Sequence, residues 1–138
     1  MAIQFFSEIK SFGLKNKRAV KLWLNKSAAS EGYKPHVINY IFCDDAYLFD
    51  INVTYLNHKT LTDIITFQYE TVAGKVSGDI FISIERVTAN AQKFNTYFED
   101  ELHRVMVHGL LHLCGYKDKS ASEKKQMRAK ENTYLALM

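Results

Sequence analysis

A histidine pair near the carboxyl end of the chain has the spacing of a helix-borne metal site. His108 and His112 are four residues apart, and Asp118 follows six residues after His112, beyond Gly115. Because four residues turn about 400° on an α-helix, both imidazoles project from one face, and a left-handed glycine lets the chain turn back toward them. Two neutral imidazoles and a carboxylate leave the fourth position of a zinc ion open for water. The pattern therefore predicts a catalytic metal site and a metal-dependent hydrolase.

The residue after the first histidine separates this pattern from that of the zinc peptidases. In those enzymes a glutamate at this position takes a proton from water at the metal, whereas this chain has Gly109. Peptide hydrolysis thus lacks its usual base, and attack depends on the metal lowering the pKa of its water toward about 7, or on a base elsewhere. The alternative to metal binding is that His108 and His112 are packed core residues of an apolar helix.

The composition predicts a single domain spanning residues 1–138. A chain of 138 residues, 47% of them hydrophobic, can bury a core without disulfides or a structural metal. Cys43 and Cys114 do not form a disulfide framework, which favours a reducing cytoplasm. Cys114 lies about 200° from His112 around the helix and is expected to pack in the core rather than bind metal. We find no secretory leader and no apolar stretch of membrane-spanning length, so no membrane partner is expected.

Basic residues are concentrated in two segments although the net charge is only +3. Between Lys10 and Lys26 there are six basic residues and no acidic one. The second segment contains Lys117, Lys119, Lys124, Lys125, Arg128 and Lys130. Either segment is a candidate for contact with a polyanion such as RNA, and the alternative is that these side chains only solvate exposed helices.

The periodicity of apolar residues predicts an α+β fold, with helices that cover a small β-sheet. The predicted strands are Ile3–Phe6, Val37–Cys43, Asp50–Leu56, Asp63–Tyr69 and Gly78–Ile84, with a helical turn at Asp44–Phe49 and a polar turn at Thr71–Ser77. The predicted helices are Lys15–Glu31, Val87–Phe94, Phe98–Leu113 and a last one that runs to about Leu137. The metal-site helix is thus followed by a C-terminal helix.

Capping residues set the expected ends of these helices. Thr96 with Glu99, and Ser120 with Glu123, have the spacing of capping boxes. Gly32 is expected to end the first helix, and Trp23 to anchor it to the core.

Several short motifs match those of one known family. In the pattern H-G-x-L-H-L-x-G-Y-D-H the chain matches at His108, Gly109, Leu111, His112, Leu113, Gly115 and Tyr116. Residues 62–67 are similar to T-D-V-L-S-F, residues 78–80 match G-D-I, and Met127 with Glu131 is similar to a terminal helix signature. The chain thus resembles the YbeY family of bacterial endoribonucleases. The resemblance implies a mixed α+β fold, one zinc ion, and single-strand-specific RNA cleavage in 16S rRNA 3′ end maturation and ribosome quality control, with the small ribosomal subunit as partner.

His108, His112 and Asp118 are the predicted metal ligands, and the third departs from the family pattern. The family has histidine where this chain has Asp118, and aspartate where it has Lys117. A carboxylate cancels more of the ion's charge, so its bound water is expected to be less acidic than with three histidines. Because carboxylate oxygen is a harder ligand than imidazole, manganese or another divalent ion is an alternative to zinc.

Two residues outside the ligand set are candidate catalytic groups. Asp79 begins a strand after Gly78 and is a candidate general base or ligand-orienting group; the alternative is that it caps the strand end or pairs with an arginine. Arg104 lies one helical turn before His108 and is a candidate phosphate contact; the alternative is a surface salt bridge.

The loop before residue 62 is a second departure. Many family members have arginine where this chain has Leu56, and His58 and Lys59 are candidates to replace it in part. Two other functions stay open: a ribosome-associated assembly factor with a structural metal and no cleavage activity, and a zinc hydrolase of a small substrate.

Overall fold

A four-stranded sheet lies at the centre of the computed structural model, which describes residues 2–57, 61–69 and 72–138. In chain order its elements are β1 (Ile3–Ser7), α1 (Lys17–Ser30), β2 (Lys34–Cys43), α2 (Asp45–Leu56), β3 (Ile64–Gln68), β4 (Lys75–Ser83), α3 (Ile84–Lys93), α4 (Phe98–Leu113) and α5 (Ala121–Leu135). The strand order is β1-β2-β4-β3, in which β1, β2 and β4 are parallel and β3 is antiparallel to β4. The predicted α+β fold with a mixed sheet is confirmed.

The core lies between the sheet and α4. Alternate residues of the central strands are buried, among them Tyr40 on β2 and Ile80 on β4, which are cross-strand partners. The buried Tyr40 hydroxyl donates a hydrogen bond of 2.8 Å to the Met106 carbonyl of α4. This contact ties the helix that carries the histidines directly to the middle of the sheet.

Two glycines allow this close packing. A Cβ atom at Gly109 would lie 2.8 Å from Ile80 Cγ2 and 3.0 Å from Ile64 Cδ1. A Cβ atom at Gly78 would lie 2.5 Å from the Phe67 carbonyl oxygen. A glutamate therefore has no room after His108, because that position is the contact point between α4 and the sheet.

Substituting Gly78 tests this packing. We expect Gly78→Ala to lower the free energy of unfolding by about 1–3 kcal/mol, because backbone and neighbouring side chains must shift to admit the methyl group. Thermal or urea denaturation measures the change. Gly13→Ala is the matched control, since its Cβ would have no atom within 4 Å; an equal loss in both variants would contradict the steric explanation.

The strand predicted at Asp50–Leu56 is wrong, because these residues form the second half of α2. The helical turn predicted at Asp44–Phe49 is where this helix begins. The Asp44 side chain caps it by accepting a hydrogen bond of 2.8 Å from the Tyr47 amide, and Leu48 and Asn52, four residues apart, are its buried residues. Local propensity missed the second half of the helix because its β-branched and aromatic residues, such as Ile51, Val53 and Tyr55, favour a strand. The first turn is also stabilised by tertiary contacts, since Asp45 accepts hydrogen bonds from Ser83 and Arg86.

Other boundaries differ by a few residues. The polar turn predicted at Thr71–Ser77 ends earlier, because β4 already begins at Lys75. Thr71 itself lies outside the described residues. The capping box predicted for Ser120 and Glu123 is confirmed. The one predicted at Thr96 is wrong, because Tyr97 is the N-cap of α4 and makes no side-chain capping hydrogen bond.

The amino-terminal and carboxyl-terminal helices are joined by a buried contact. Trp23 of α1 is buried, as predicted, and its indole N–H donates a hydrogen bond of 2.7 Å to the Tyr134 carbonyl of α5. Cys43 and Cys114 are also buried, and both are free thiols. None of the helices in the described ranges has both the length and the apolar character that crossing a bilayer requires.

Candidate metal centre

The predicted ligands meet at the carboxyl end of α4. His108 and His112 project from one face of the helix, and their Nε2 atoms are 3.0 Å apart. Gly115 has a φ of 104°, the left-handed backbone that lets the chain reverse after the helix. The returning loop places Asp118 Oδ2 3.3 Å from His108 Nε2 and 3.4 Å from His112 Nε2. The turn inferred from the glycine therefore brings all three side chains together.

This arrangement fits a divalent metal ion. Two ligand atoms of a tetrahedral zinc ion, each at about 2.0–2.1 Å, lie about 3.3 Å apart. The three donor atoms here form a triangle with sides of 3.0, 3.3 and 3.4 Å. All three residues are half-buried, so that the triangle has an open side. The cluster can hold a metal ion with one coordination position left for another molecule.

A buried glutamate orients the first histidine. Glu131 Oε2 lies 2.7 Å from His108 Nδ1, and only 7% of the Glu131 side chain is exposed. The other carboxylate oxygen, Oε1, lies 2.9 Å from Arg104 Nη1. Since Nδ1–H donates to this carboxylate, the lone pair of His108 is placed on Nε2, which faces the other two ligand atoms. Arg104, Glu131 and His108 thus form one hydrogen-bonded chain that ends at the candidate metal.

The charges in this hydrogen-bonded chain shift the pKa values of His108 and Glu131. Burial by itself would lower the pKa of His108, but the hydrogen bond to Glu131 and the charges of Glu131, Asp118 and Asp63 raise it overall. Burial would raise the pKa of Glu131, but its bonds to His108 and Arg104 hold that pKa below the usual value. Glu131 is therefore an ionised carboxylate, the form that accepts the Nδ1 proton.

A cavity of about 760 Å³ lies beside the three ligands. Its lining includes all three ligands, the carboxyl groups of Asp63, Glu101 and Glu131, and the cations Arg104, Lys124 and Arg128. Burial raises the pKa of Asp63 and of Glu101 above their usual values. The cavity therefore combines a candidate metal site with cationic groups that suit a phosphate ester.

Comparison with known proteins places the chain in a family. Residues 4–138 match the family model described as Endoribonuclease YbeY. The chain belongs to this family. The match spans nearly all of the chain, so the resemblance inferred from short motifs is confirmed.

Individual relatives agree with this assignment. The endoribonuclease YbeY of Flavobacterium johnsoniae is 54% identical over 132 residues, which cover 96% of this chain and 94% of that protein. The endoribonuclease YbeY of Cytophaga hutchinsonii is 51% identical and covers 98% of this chain and 94% of that protein. A solution structure of a Thermotoga maritima protein superimposes with a TM-score of 0.67 at 28% identity, covering 96% of this chain and 86% of that one.

In this YbeY-family chain, Asp79 is not brought to the ligands. Its neighbour Ile80 points toward Gly109 of α4, so Asp79 points to the opposite face of the sheet. There its Oδ1 accepts hydrogen bonds from Asn39 Nδ2, at 3.1 Å, and from the Tyr69 hydroxyl. Asp79 lies in the middle of β4 and bonds to Asn39 and Tyr69, so among the described residues it neither caps a strand end nor pairs with an arginine. The structure does not bring Asp79 to the metal ligands.

Arg104 lines the cavity, but its guanidinium group is already bonded to protein. Nη1 lies 2.9 Å from Glu131 Oε1, and Nη2 donates a hydrogen bond of 2.8 Å to Asn132 Oδ1. The salt bridge weighed as an alternative is thus present, with a partner 27 residues away. These two bonds indicate that Arg104 mainly positions Glu131.

Sequence reasoning missed the positions of Glu131, Asp63 and Glu101 at this site. Glu131 was noted only as part of a family signature, and its distance of 23 residues from His108 carries no local signal. Asp63 belongs to the T-D-V-L-S-F-like segment, which was the one available indication. Leu56, the second predicted departure from the family pattern, ends α2 and is partly exposed. His58 and Lys59 lie outside the described residues.

A second hydrogen-bond network supports the loop that carries Asp118. Glu31, just after α1, accepts hydrogen bonds from the hydroxyls of Tyr116 and Tyr134 and from Lys130 Nζ. The hydrogen bond from Tyr116 to Glu31 is 2.5 Å long, and Tyr116 is two residues before Asp118. Burial would raise the pKa of Glu31, but these three donors hold it below its usual value.

The lowered pKa of Glu31 predicts a pH-dependent contribution to stability. A carboxyl group with a depressed folded-state pKa stabilises the fold above its usual pKa of about 4.3, and loses that effect as pH falls through the folded value. We expect Glu31→Gln to lower the free energy of unfolding by about 1–3 kcal/mol at pH 7. Urea denaturation from pH 7 to pH 3 should show this difference shrinking with acidity. A difference that is constant across the range would contradict the assigned role.

Proposed function

We propose that this protein is a metal-dependent endoribonuclease that cleaves single-stranded RNA. The observation that carries the proposal is the open triangle of His108, His112 and Asp118 at the edge of a cavity lined by Arg104, Lys124 and Arg128. Relatives at about half identity over nearly the whole chain are named endoribonucleases. A ligand set with an open position favours catalysis over a purely structural metal.

Zinc is the proposed ion, with manganese or another divalent metal as the alternative. When bound, such an ion stabilises charge on a phosphodiester and makes water a stronger nucleophile near neutral pH. The donor set of two imidazoles and one carboxylate accepts zinc, while its carboxylate also suits harder ions.

The other residues of the cavity supply binding and orientation. Lys124 lies in the cavity wall, in the first part of α5, and no salt bridge in the described ranges includes it, so its charge is available to an RNA phosphate. Arg128, one turn later, is 3.6 Å from Glu131 and more than half exposed. Glu131 keeps His108 in the tautomer that presents Nε2. The chain thus provides a fixed ligand set beside Lys124 and the more than half-exposed Arg128, two cations that can contact a phosphate.

The biological setting is also a proposal. The family resemblance supports action in 16S rRNA 3′ end maturation and ribosome quality control, with ribosomal RNA and the small ribosomal subunit as partners. We place the activity in one domain, residues 1–138, acting in the cytoplasm.

An RNA cleavage assay tests the proposal. Purified protein is incubated with an end-labelled unstructured RNA in the presence of zinc, manganese or chelator, with His112→Ala in parallel to exclude a contaminating nuclease. We expect cleavage by the wild type with metal, and background cleavage with chelator or with the variant. Circular dichroism of His112→Ala shows whether the variant is folded.

The same assay separates the alternatives. Absence of cleavage by a fully metal-loaded wild type would overturn the proposal and favour an assembly factor with a structural metal. Metal-dependent hydrolysis of a small phosphate ester by the wild type, without any RNA cleavage, would favour a small-substrate hydrolase.

A further inference from the structure

A groove at the β1 edge of the sheet combines aromatic and cationic side chains. It has a volume of about 330 Å³ and is lined by Gln4, Phe5, Phe6, Lys17 and Lys21. β1 and β3 are opposite edges of the sheet, separated by β2 and β4. At about 4.8 Å for each strand spacing, the two edges are about 14 Å apart. None of the residues lining this groove lines the cavity beside the metal ligands.

Its aromatic surface is open to solvent and held in place. Phe6 is 46% exposed, on a strand with one unpaired edge. Phe5 is half-buried and its ring packs on Tyr40 and Phe42, with ring centroids 5.7 and 6.4 Å away. Lys21 Nζ lies 5.7 Å from the centre of the Phe5 ring, which holds the ammonium group over the groove. Because successive strand residues point to opposite faces, the exposed Phe6 ring and the cation over Phe5 lie on either side of the β1 edge, and both line the groove. Single-stranded RNA binds by stacking bases on such rings and placing phosphates beside such cations.

The positive charge around the groove is uncompensated. Lys17 and Lys21 are one helical turn apart and belong to the six cations between Lys10 and Lys26. Within the described ranges, no salt bridge includes any of these six. Arg86, Arg104, Arg128 and Lys130, in contrast, each lie within 4.0 Å of a carboxylate. The acid that precedes the segment, Glu8, interacts with Cys43 and Tyr47 beyond the carboxyl end of β1.

We propose that this groove is a second RNA-binding surface, which takes a single-stranded segment away from the cleavage site. Phe6 stacks on a base, while Lys17 and Lys21 contact adjacent phosphates. Unpaired cations favour a polyanion, and the exposed ring favours one with unpaired bases over a duplex or a lipid surface. The identification of the ligand as RNA rests on the proposed function, whereas the location of the site rests on the residues that line the groove.

Binding is measured with the full chain and chelator, so that no RNA is cut. The probe is a fluorescein-labelled unstructured RNA of about 20 nucleotides, longer than the about 4–16 nucleotides that one single-strand binding site spans. We expect Lys17→Gln with Lys21→Gln to weaken binding about tenfold and to reduce the slope of log affinity against log salt by about 1.4. We expect Phe6→Ala to weaken binding about fivefold or more at an unchanged slope.

Matched controls exclude general effects of charge and hydrophobicity. Lys34→Gln with Lys75→Gln removes the same charge from exposed positions at the start of β2 and β4. Tyr97→Ala removes an aromatic ring that is 81% exposed and lines neither cavity. Both controls should bind RNA like the wild type.

Three results would overturn the proposal. The first is wild-type affinity in both groove variants, and the second is an equal loss in the lysine control. The third is binding to phosphatidylglycerol vesicles that needs Lys17 and Lys21 while RNA binding does not. Metal-dependent cleavage of an RNA too short to reach the groove should be unchanged in the groove variants. That readout separates failure of this proposal from failure of the proposed function.

Discussion

Replacing Asp118 with alanine is expected to weaken zinc binding by more than about 100-fold, beyond the 10–100-fold typical of losing a residue that only orients a ligand. The physical reason is that Asp118 Oδ2 lies 3.3 and 3.4 Å from the two Nε2 atoms and completes their triangle. Competition with a chromophoric chelator measures the affinity directly and needs no RNA substrate.

Two further variants make this test specific. Lys117→Ala changes the preceding residue, which is exposed, and should leave the zinc affinity unchanged. Asp118→His supplies the third ligand found in the YbeY pattern and should recover much of the affinity lost in Asp118→Ala. Wild-type zinc affinity in Asp118→Ala would show that the third ligand lies elsewhere, and would remove the basis for the ligand set proposed above.

Replacing Glu131 with glutamine is expected to weaken zinc binding about 10–100-fold. The variant keeps the size of the side chain but loses the charge that holds His108 Nδ1–H at 2.7 Å and pairs with Arg104 at 2.9 Å. The same chelator competition measures the change. A carboxylate that matters only for folding would change the unfolding free energy and leave the zinc affinity of the folded protein intact.

Arg104 provides a graded comparison in the same chain of contacts. Arg104→Gln should weaken zinc binding less than Glu131→Gln, because it acts on His108 only through the glutamate. Asn132→Ala removes the other partner of Arg104 and is the control; its zinc affinity should stay near that of the wild type. If Arg104→Gln changed RNA affinity alone, the phosphate contact predicted from the sequence would be its main role.

Local patterns predicted the elements whose signals are contained within them. The 3.6-residue apolar period of α4 and the alternation of Ile80 and Ile82 in β4 are written in consecutive residues, and both elements were found. The first turn of α2, which Ser83 and Arg86 stabilise from about 40 residues away, was predicted as helical, but its second half was predicted as a strand. β-branched and aromatic residues around Ile51 and Val53 then favoured a strand over the actual helix.

The sequence by itself determined the candidate ligand set, because His108, His112, Gly115 and Asp118 act through one helical turn and one reversal of the chain. Family membership could also be inferred from short motifs. Only the tertiary structure decided which other groups surround that set. It brought Glu131 to His108 across two helices, and it turned Asp79 to the far side of the sheet. Spacing along a chain specifies neighbours within a helix, whereas contacts between elements depend on how those elements pack.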